Sequence, residues 1–270
     1  MKRLFCLIIL ILTLTACTAC ADSNTEPTQT TAGTSQPTEA VTTTVKETTV
    51  TAPTTQPEER KFKILLDAGH GCTKTYTEQV APGSDKTTVE SPNTGTSGVS
   101  TNRHESELTL AIALKLQAAL KKTDAEVYMV RSTPTTDMSL TQRAEMGNEL
   151  GVDLVLRIHA DGVDDSSVRG ASLLYPSTDY TDADVVEKSK EAAECISQKY
   201  IEETELNDRG VIERNDLVGF NFTTVPSVLI ELGFMSNPEE DELMWEPSFQ
   251  QKMTDGIING ITEYRKRMKE

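Results

Sequence analysis

Positive charge is scarce in this chain: 26 Lys and Arg stand against 42 Asp and Glu, a formal net charge of −16 over 270 residues. A surface that holds nucleic acid by neutralising phosphates needs the opposite balance, so no nucleic-acid partner is expected. Aromatic residues are also few, at 5% of the sequence, and residues 21–60 contain none. Cysteine occurs five times, but beyond Cys20 only Cys72 and Cys195 remain, with no CxxC or zinc-ribbon spacing. That excludes a disulfide framework and a cysteine-based zinc module as the basis of the fold. No apolar run reaches the roughly 20 residues of a bilayer-spanning helix; the run from Leu4 to Leu14 stops short of it.

That run follows Lys2 and Arg3 and reads as a secretory signal. Leu14-Thr15-Ala16-Cys17 resembles the bacterial lipobox, in which the signal is cut before a cysteine that then receives lipid. Residues 1–16 are therefore expected to be a lipoprotein signal peptide and Cys17 the lipidated residue, with Cys20 as a poorer match. Between Ser23 and Pro57 there are 14 Thr among 35 residues, mixed with Pro, Ser, Gln and Glu. Such a segment cannot bury enough apolar surface to offset its ordering entropy. Residues 17–60 are thus expected to be a disordered stalk from a lipid anchor in the membrane to an exported domain, residues 61–270.

In that domain, apolar runs at Phe62–Leu66, Val127–Val130, Leu154–Ile158, Ala171–Tyr175 and Val225–Ile230 read as strands. Helical spacing covers Glu105–Leu120, Leu140–Leu150, Ala183–Glu203 and about 248–267. The alternation implies an α/β class: one domain with a mainly parallel, twisted mixed sheet and helices on both faces. Ligands bind such folds beyond the carboxyl ends of the strands.

Three positions at or near strand ends bear chemistry. His70 follows the first strand in Asp67-Ala68-Gly69-His70-Gly71, His159 follows the third in His159-Ala160-Asp161-Gly162, and Glu231 ends the fifth. Glu105 opens the first helix. His70, Glu105 and His159 form a candidate zinc set with an open fourth position for water, since a structural zinc would close with four protein ligands. Glu231 is then placed as a general base. His104 points about 100° away from Glu105 on the helix start, so it is expected to lie outside the set, and Cys72 is read as a packing thiol.

Five segments in order carry a family resemblance. They are Leu66–Gly71, Glu105–Leu110, Val130-Arg131 with Leu140-Thr141-Gln142-Arg143, Arg157–Asp161 and Thr224–Glu240. Together they resemble the zinc-dependent N-acetylmuramoyl-L-alanine amidases that share their fold with zinc peptidases. The resemblance implies one Zn2+ ion on His70, Glu105 and His159, Glu231 as the catalytic carboxylate, and peptidoglycan as substrate. The bond implied is the amide between N-acetylmuramic acid and L-alanine of the stem peptide. Arg143, Asp161 and Arg214 are candidate substrate contacts, and a monomer is the favoured state. Two departures stand out: 34 residues, Gly71 to His104, separate the first two ligands, and Asp161 stands where the family commonly has Asn. Alternatives left open are a zinc peptidase acting within the stem peptide and an inactive peptidoglycan-binding surface lipoprotein.

Overall fold

The computed structural model describes residues 60–89 and 94–270, all within the compact unit Gln56–Glu270. The expected signal peptide, Cys17 and the stalk as far as residue 59 lie outside the described residues. In chain order the elements are β1 (Lys63–Ala68), β2 (Tyr76–Gln79), β3 (Lys86–Val89), α1 (Glu105–Leu120), β4 (Glu126–Met129), α2 (Leu140–Leu150) and β5 (Leu154–Asp161). There follow β6 (Ala171–Pro176), α3 (Ala183–Thr204), β7 (Asp208–Arg214), α4 (Val218–Asn221), β8 (Ser227–Phe234), α5 (Pro238–Trp245) and α6 (Pro247–Arg267). Among the described residues, no helix is long and apolar enough to cross a membrane.

Six strands form one sheet in the order β4-β1-β5-β8-β6-β7. The first four are parallel, whereas β6 runs antiparallel to β8 and parallel to β7. Side chains alternate across this sheet because the pleat has a period of two. Ile64, Leu66, Leu156, Ile158, Val228 and Ile230 point to one face and are fully buried in the main core, where each contributes about 1.5–3 kcal/mol. Helices α1, α3 and α6 cover that face, with α3 and α6 packed most extensively on each other. Leu65 and Val155 turn to the opposite face and pack with Met146 and Leu150 of α2. By the same alternation Asp67, Arg157, His159 and Glu231 belong to this second face, so polar chemistry follows an apolar start at its carboxyl end.

Five elements go beyond the sequence reading: β2, β3, β7, α4 and α5. The long connection between the first two ligands contains the β2–β3 hairpin, fastened to α2 by Glu78, whose carboxylate accepts the N–H groups of Leu140 (3.2 Å) and Thr141 (3.0 Å). An anion at a helix N-terminus is favourable there, and Asn221 Nδ2 adds a bond to Val80 O (2.9 Å). The segment after it, Thr94 to His104, is also tied down: the Ser100 and Thr101 N–H groups both donate to Asp241 Oδ2 at 2.8 Å. β7 is an edge strand, Asp-Arg-Gly-Val-Ile-Glu-Arg, whose charges suit an unpaired edge. α5 is a short helix begun by Pro238, with the Asn237 side chain accepting from Glu239 and Glu240.

Candidate active site

Two histidine nitrogens and one carboxylate oxygen converge just past the end of β1 and beside the carboxyl-terminal part of β5, which runs on to Asp161 and so includes His159 rather than ending before it. Glu105 Oε1 lies 2.8 Å from His70 Nε2 and 3.0 Å from His159 Nδ1, and the two nitrogens are 3.2 Å apart. A tetrahedral zinc ion about 2.0–2.1 Å from each ligand would space them about 3.3–3.4 Å apart. The donor set fits the ion, with the three atoms drawn slightly closer together than the ion would hold them. Among the described residues, no fourth His, Cys, Asp or Glu joins this group. His104 is exposed, with Nδ1 3.0 Å from Ser97 Oγ, and Cys72 is a buried free thiol among the cleft-lining residues.

Each ligand is held by its neighbours. His70 sits in the left-handed region at φ 61, a conformation uncommon outside glycine and often found at functional sites. Arg143 Nη2 donates to its carbonyl at 2.8 Å. Glu105 is 4% exposed, and its carboxylate accepts from Thr96 N at 3.0 Å and Ala160 N at 3.1 Å. Burial alone would raise the proton affinity of Glu105, but hydrogen bonds and charge from His159 and His70 outweigh it and hold the group far below the usual carboxylate range. Two glycines make room. A Cβ on Gly69 would lie 2.5 Å from His159 Cε1, and one on Gly95 would lie 2.2 Å from Glu105 Oε2.

Beneath the ligands lies a buried ionic network that the sequence reading did not assemble, although all its members fall in the quoted segments. Asp67 accepts from Arg143 Nη1 at 3.0 Å and Arg157 Nη1 at 2.6 Å, and all three side chains are under 7% exposed. Burial pushes the Asp67 carboxyl up, but Arg143 and Arg157 together prevail and hold it below its ordinary value. Arg131 completes the support, donating to Ala68 O (2.9 Å), Gly69 O (2.7 Å) and Ser106 O (2.8 Å). It thus joins the end of β1 to the first turn of α1. Burial lowers the Arg131 pKa to about 10.

Glu231 is the register partner of His159 across β5 and β8. Its Oε2 is buried and has no hydrogen-bond partner. Burial, then the charges of Glu105 and Asp161, push its pKa well above the ordinary carboxylate range, with Arg214 acting the other way. Glu231, His70 and His159 line a cleft of about 420 Å³ together with Asp161, Arg143 and Arg214. Arg143 borders the cleft, yet its donors go to Asp67 and to the backbone of Met138, Ala68 and His70. Arg214 pairs with Asp216, and Asp161 Oδ1 accepts from Gly162 N.

This is the arrangement of an α/β enzyme with its reactive groups at the carboxyl ends of parallel strands. The family profile of N-acetylmuramoyl-L-alanine amidase matches residues 64–263, and the chain belongs to that family. The chain is 26% identical to the N-acetylmuramoyl-L-alanine amidase AmiA of Salmonella typhimurium, over 78% of this chain and 79% of AmiA. It is 30% identical to the probable cell wall amidase LytH of Staphylococcus saprophyticus, over 68% of this chain but 60% of LytH. Among solved structures, the amidase Ami1 of Mycobacterium smegmatis matches with a TM-score of 0.66 and 26% identity, covering 75% of this chain and 96% of Ami1. The catalytic domain of CwlV from Bacillus polymyxa matches with a TM-score of 0.62 and 29% identity, covering 76% and 98% respectively.

Proposed function

We propose that this enzyme hydrolyses the amide between the lactyl group of N-acetylmuramic acid and L-alanine in peptidoglycan, using one zinc ion on His70, Glu105 and His159. The observation that carries the reading is the convergence of those three ligand atoms beside Glu231, a half-buried carboxylate with one buried, unpartnered oxygen, in a chain of the amidase family. When bound, zinc polarises a carbonyl and lowers the pKa of water. The chain's own residues do the rest. Glu231 is the general base: its raised proton affinity suits a group that takes a proton from the attacking water and hands it to the departing alanine amine. Glu105, held strongly acidic, stays anionic as a ligand. Two carboxylates thus take two roles because their surroundings push them apart.

Arg143 serves by holding His70 in place, while Asp161 and Arg214 meet substrate in the cleft. The enzyme works as a monomer outside the cell, with residues 1–16 removed, Cys17 lipidated and residues 17–60 as the tether to the membrane. The lipobox-like segment and the two relatives named for the cell wall or for muramoyl-alanine cleavage support that placement.

Elemental analysis paired with hydrolysis of muramoyl peptides tests the reading. Glu231→Gln is expected to keep its zinc and lose about 10²–10⁴-fold in turnover, the ordinary contribution of a general base. His159→Ala is expected to lose metal and activity together. Normal turnover by the first variant, or full zinc in the second, would overturn the assignment.

A further inference from the structure

Two neighbouring carboxylates of α5, Glu240 and Asp241, are 4% and 0% exposed, and both accept hydrogen bonds from groups outside the helix. Glu240 Oε1 accepts from Gly170 N and Oε2 from Phe234 N, each at 2.7 Å, and so holds the carboxyl end of β8, the strand that carries Glu231. Asp241 holds a different segment. Its Oδ2 accepts from the N–H groups of Ser100 and Thr101, and its Oδ1 from the Thr101 hydroxyl, all at 2.8 Å. Bonds to an ionised acceptor are the stronger kind. Gly98 makes room for this grip, since a Cβ there would overlap the Asp241 carboxylate.

The turn that Asp241 grips closes on itself and leads to a metal ligand. Gly98 N donates to Arg103 O at 2.9 Å, and Asn102, in the left-handed region at φ 55, donates its N–H to Gly98 O at 3.0 Å. Ser97 and His104 then form an antiparallel bridge. Glu105 N donates to Thr96 O and Ser106 N to Thr94 O, both at 2.9 Å. A side chain completes the ladder: Thr96 N donates to Glu105 Oε2 at 3.0 Å, while Oε1 faces both histidines. The turn thus decides which oxygen of Glu105 is left for the ion. It is also seated on the neighbouring elements, because Val99 N donates to Met235 O at 3.0 Å and the Arg103 guanidinium stacks over Trp245 of α5 at 3.4 Å. α5 starts at Pro238, four positions after β8 ends at Phe234, so one helix serves as reference for both Glu105 and Glu231.

We propose that Asp241 is a positioning residue for the metal site: acting through the turn 98–103, it holds Glu105 so that one oxygen is presented to zinc. The inference rests on the zinc amidase reading above. Asp241 bonds to none of the three ligands, and its effect passes through the backbone of the turn.

The test measures the zinc affinity of the full chain by equilibrium dialysis against a competing chelator. It also records the visible spectrum of the cobalt-substituted protein, whose bands report the number and arrangement of ligand atoms. Asp241→Ala leaves two backbone N–H groups without their acceptor and is expected to weaken zinc about tenfold or more, as for other groups that support a metal ligand, and to alter the cobalt bands. Asp241→Asn keeps an oxygen for those N–H groups and an amide that donates to the Thr101 hydroxyl, so it is expected to restore most of the affinity. Gly98→Ala displaces the turn with Asp241 still in place and is expected to weaken zinc to a similar degree. Asn237→Ala removes the side-chain cap of the same helix; it is expected to lower the melting temperature and leave zinc affinity and the cobalt bands unchanged. Wild-type zinc affinity in Asp241→Ala, or in Gly98→Ala should the first variant not fold, overturns the inference, as does equal weakening by Asn237→Ala; each leaves the amidase reading standing. A wild-type chain that binds no zinc overturns both.

Discussion

Asp67→Asn keeps the shape of the side chain and removes the one anion that Arg143 and Arg157 share. Both guanidinia are buried, at 2% and 5% exposure, so neither can find water in its place. Removing one partner of a buried ion pair costs about 3–5 kcal/mol. For a domain of this size each kcal/mol moves the melting temperature by about 2–4 °C, so the variant should melt about 6–20 °C lower at pH 7. The pH dependence has a definite sign. The Arg neighbours hold the Asp67 carboxyl below its ordinary value, so its contribution is complete above the unfolded pKa, about 3.9. It is lost as pH falls through the lower folded value. Scanning calorimetry of both proteins from pH 7 downwards should therefore show the gap closing at the acid end. Because Arg143 also holds the His70 carbonyl, zinc affinity should fall about 10–100-fold, as for other supports behind metal ligands. A melting difference below about 2 °C at pH 7, or one that widens towards acid, would refute this reading of the network.

Gly69→Ala should weaken zinc binding at least tenfold by equilibrium dialysis, because the new methyl would meet the His159 ring at 2.5 Å and Ile158 O at 2.7 Å; unchanged affinity would mean the ring relaxes freely. His104→Ala should keep full zinc by elemental analysis, since His104 is exposed and outside the ligand group; loss of metal would enlarge that group. Glu78→Ala removes the acceptor for two N–H groups of α2 and should cost about 0.5–2 kcal/mol, as for a lost helix cap. Limited proteolysis should then cut faster between β2 and β3, and an unchanged pattern would show that the hairpin is held by other contacts.

The parallel core was legible because its strands are continuous apolar runs and its helices repeat at 3.6 residues. Glu105–Leu120 and Leu140–Leu150 are helices with those bounds in the structure. The four chemical positions stood out for a different reason: each lies in the carboxyl-terminal half of a strand, just past one or at a helix start, where an α/β sheet collects its functional groups. What escaped the sequence has little hydrophobic signature. The β2–β3 strands are rich in Thr, Glu and Gln, and β7 is mostly charged around a single glycine, so neither sequence shows an apolar alternation. The antiparallel sense of β6 is decided by how it packs beside β8, which no local pattern encodes. Asp67, Arg143 and Arg157 were visible as residues, but their meeting spans 76 and 90 positions and needs the register of β1 with β5 and α2.

The most direct measurement is mass spectrometry of the fragments released when purified peptidoglycan is digested by the full-length protein, with a zinc chelator and after zinc is restored. Intact stem peptides beginning at L-alanine, absent under chelation and recovered with zinc, are the expected products. Fragments cut within the stem peptide, or release that is indifferent to the chelator, would contradict a zinc amidase built on His70, Glu105, His159 and Glu231.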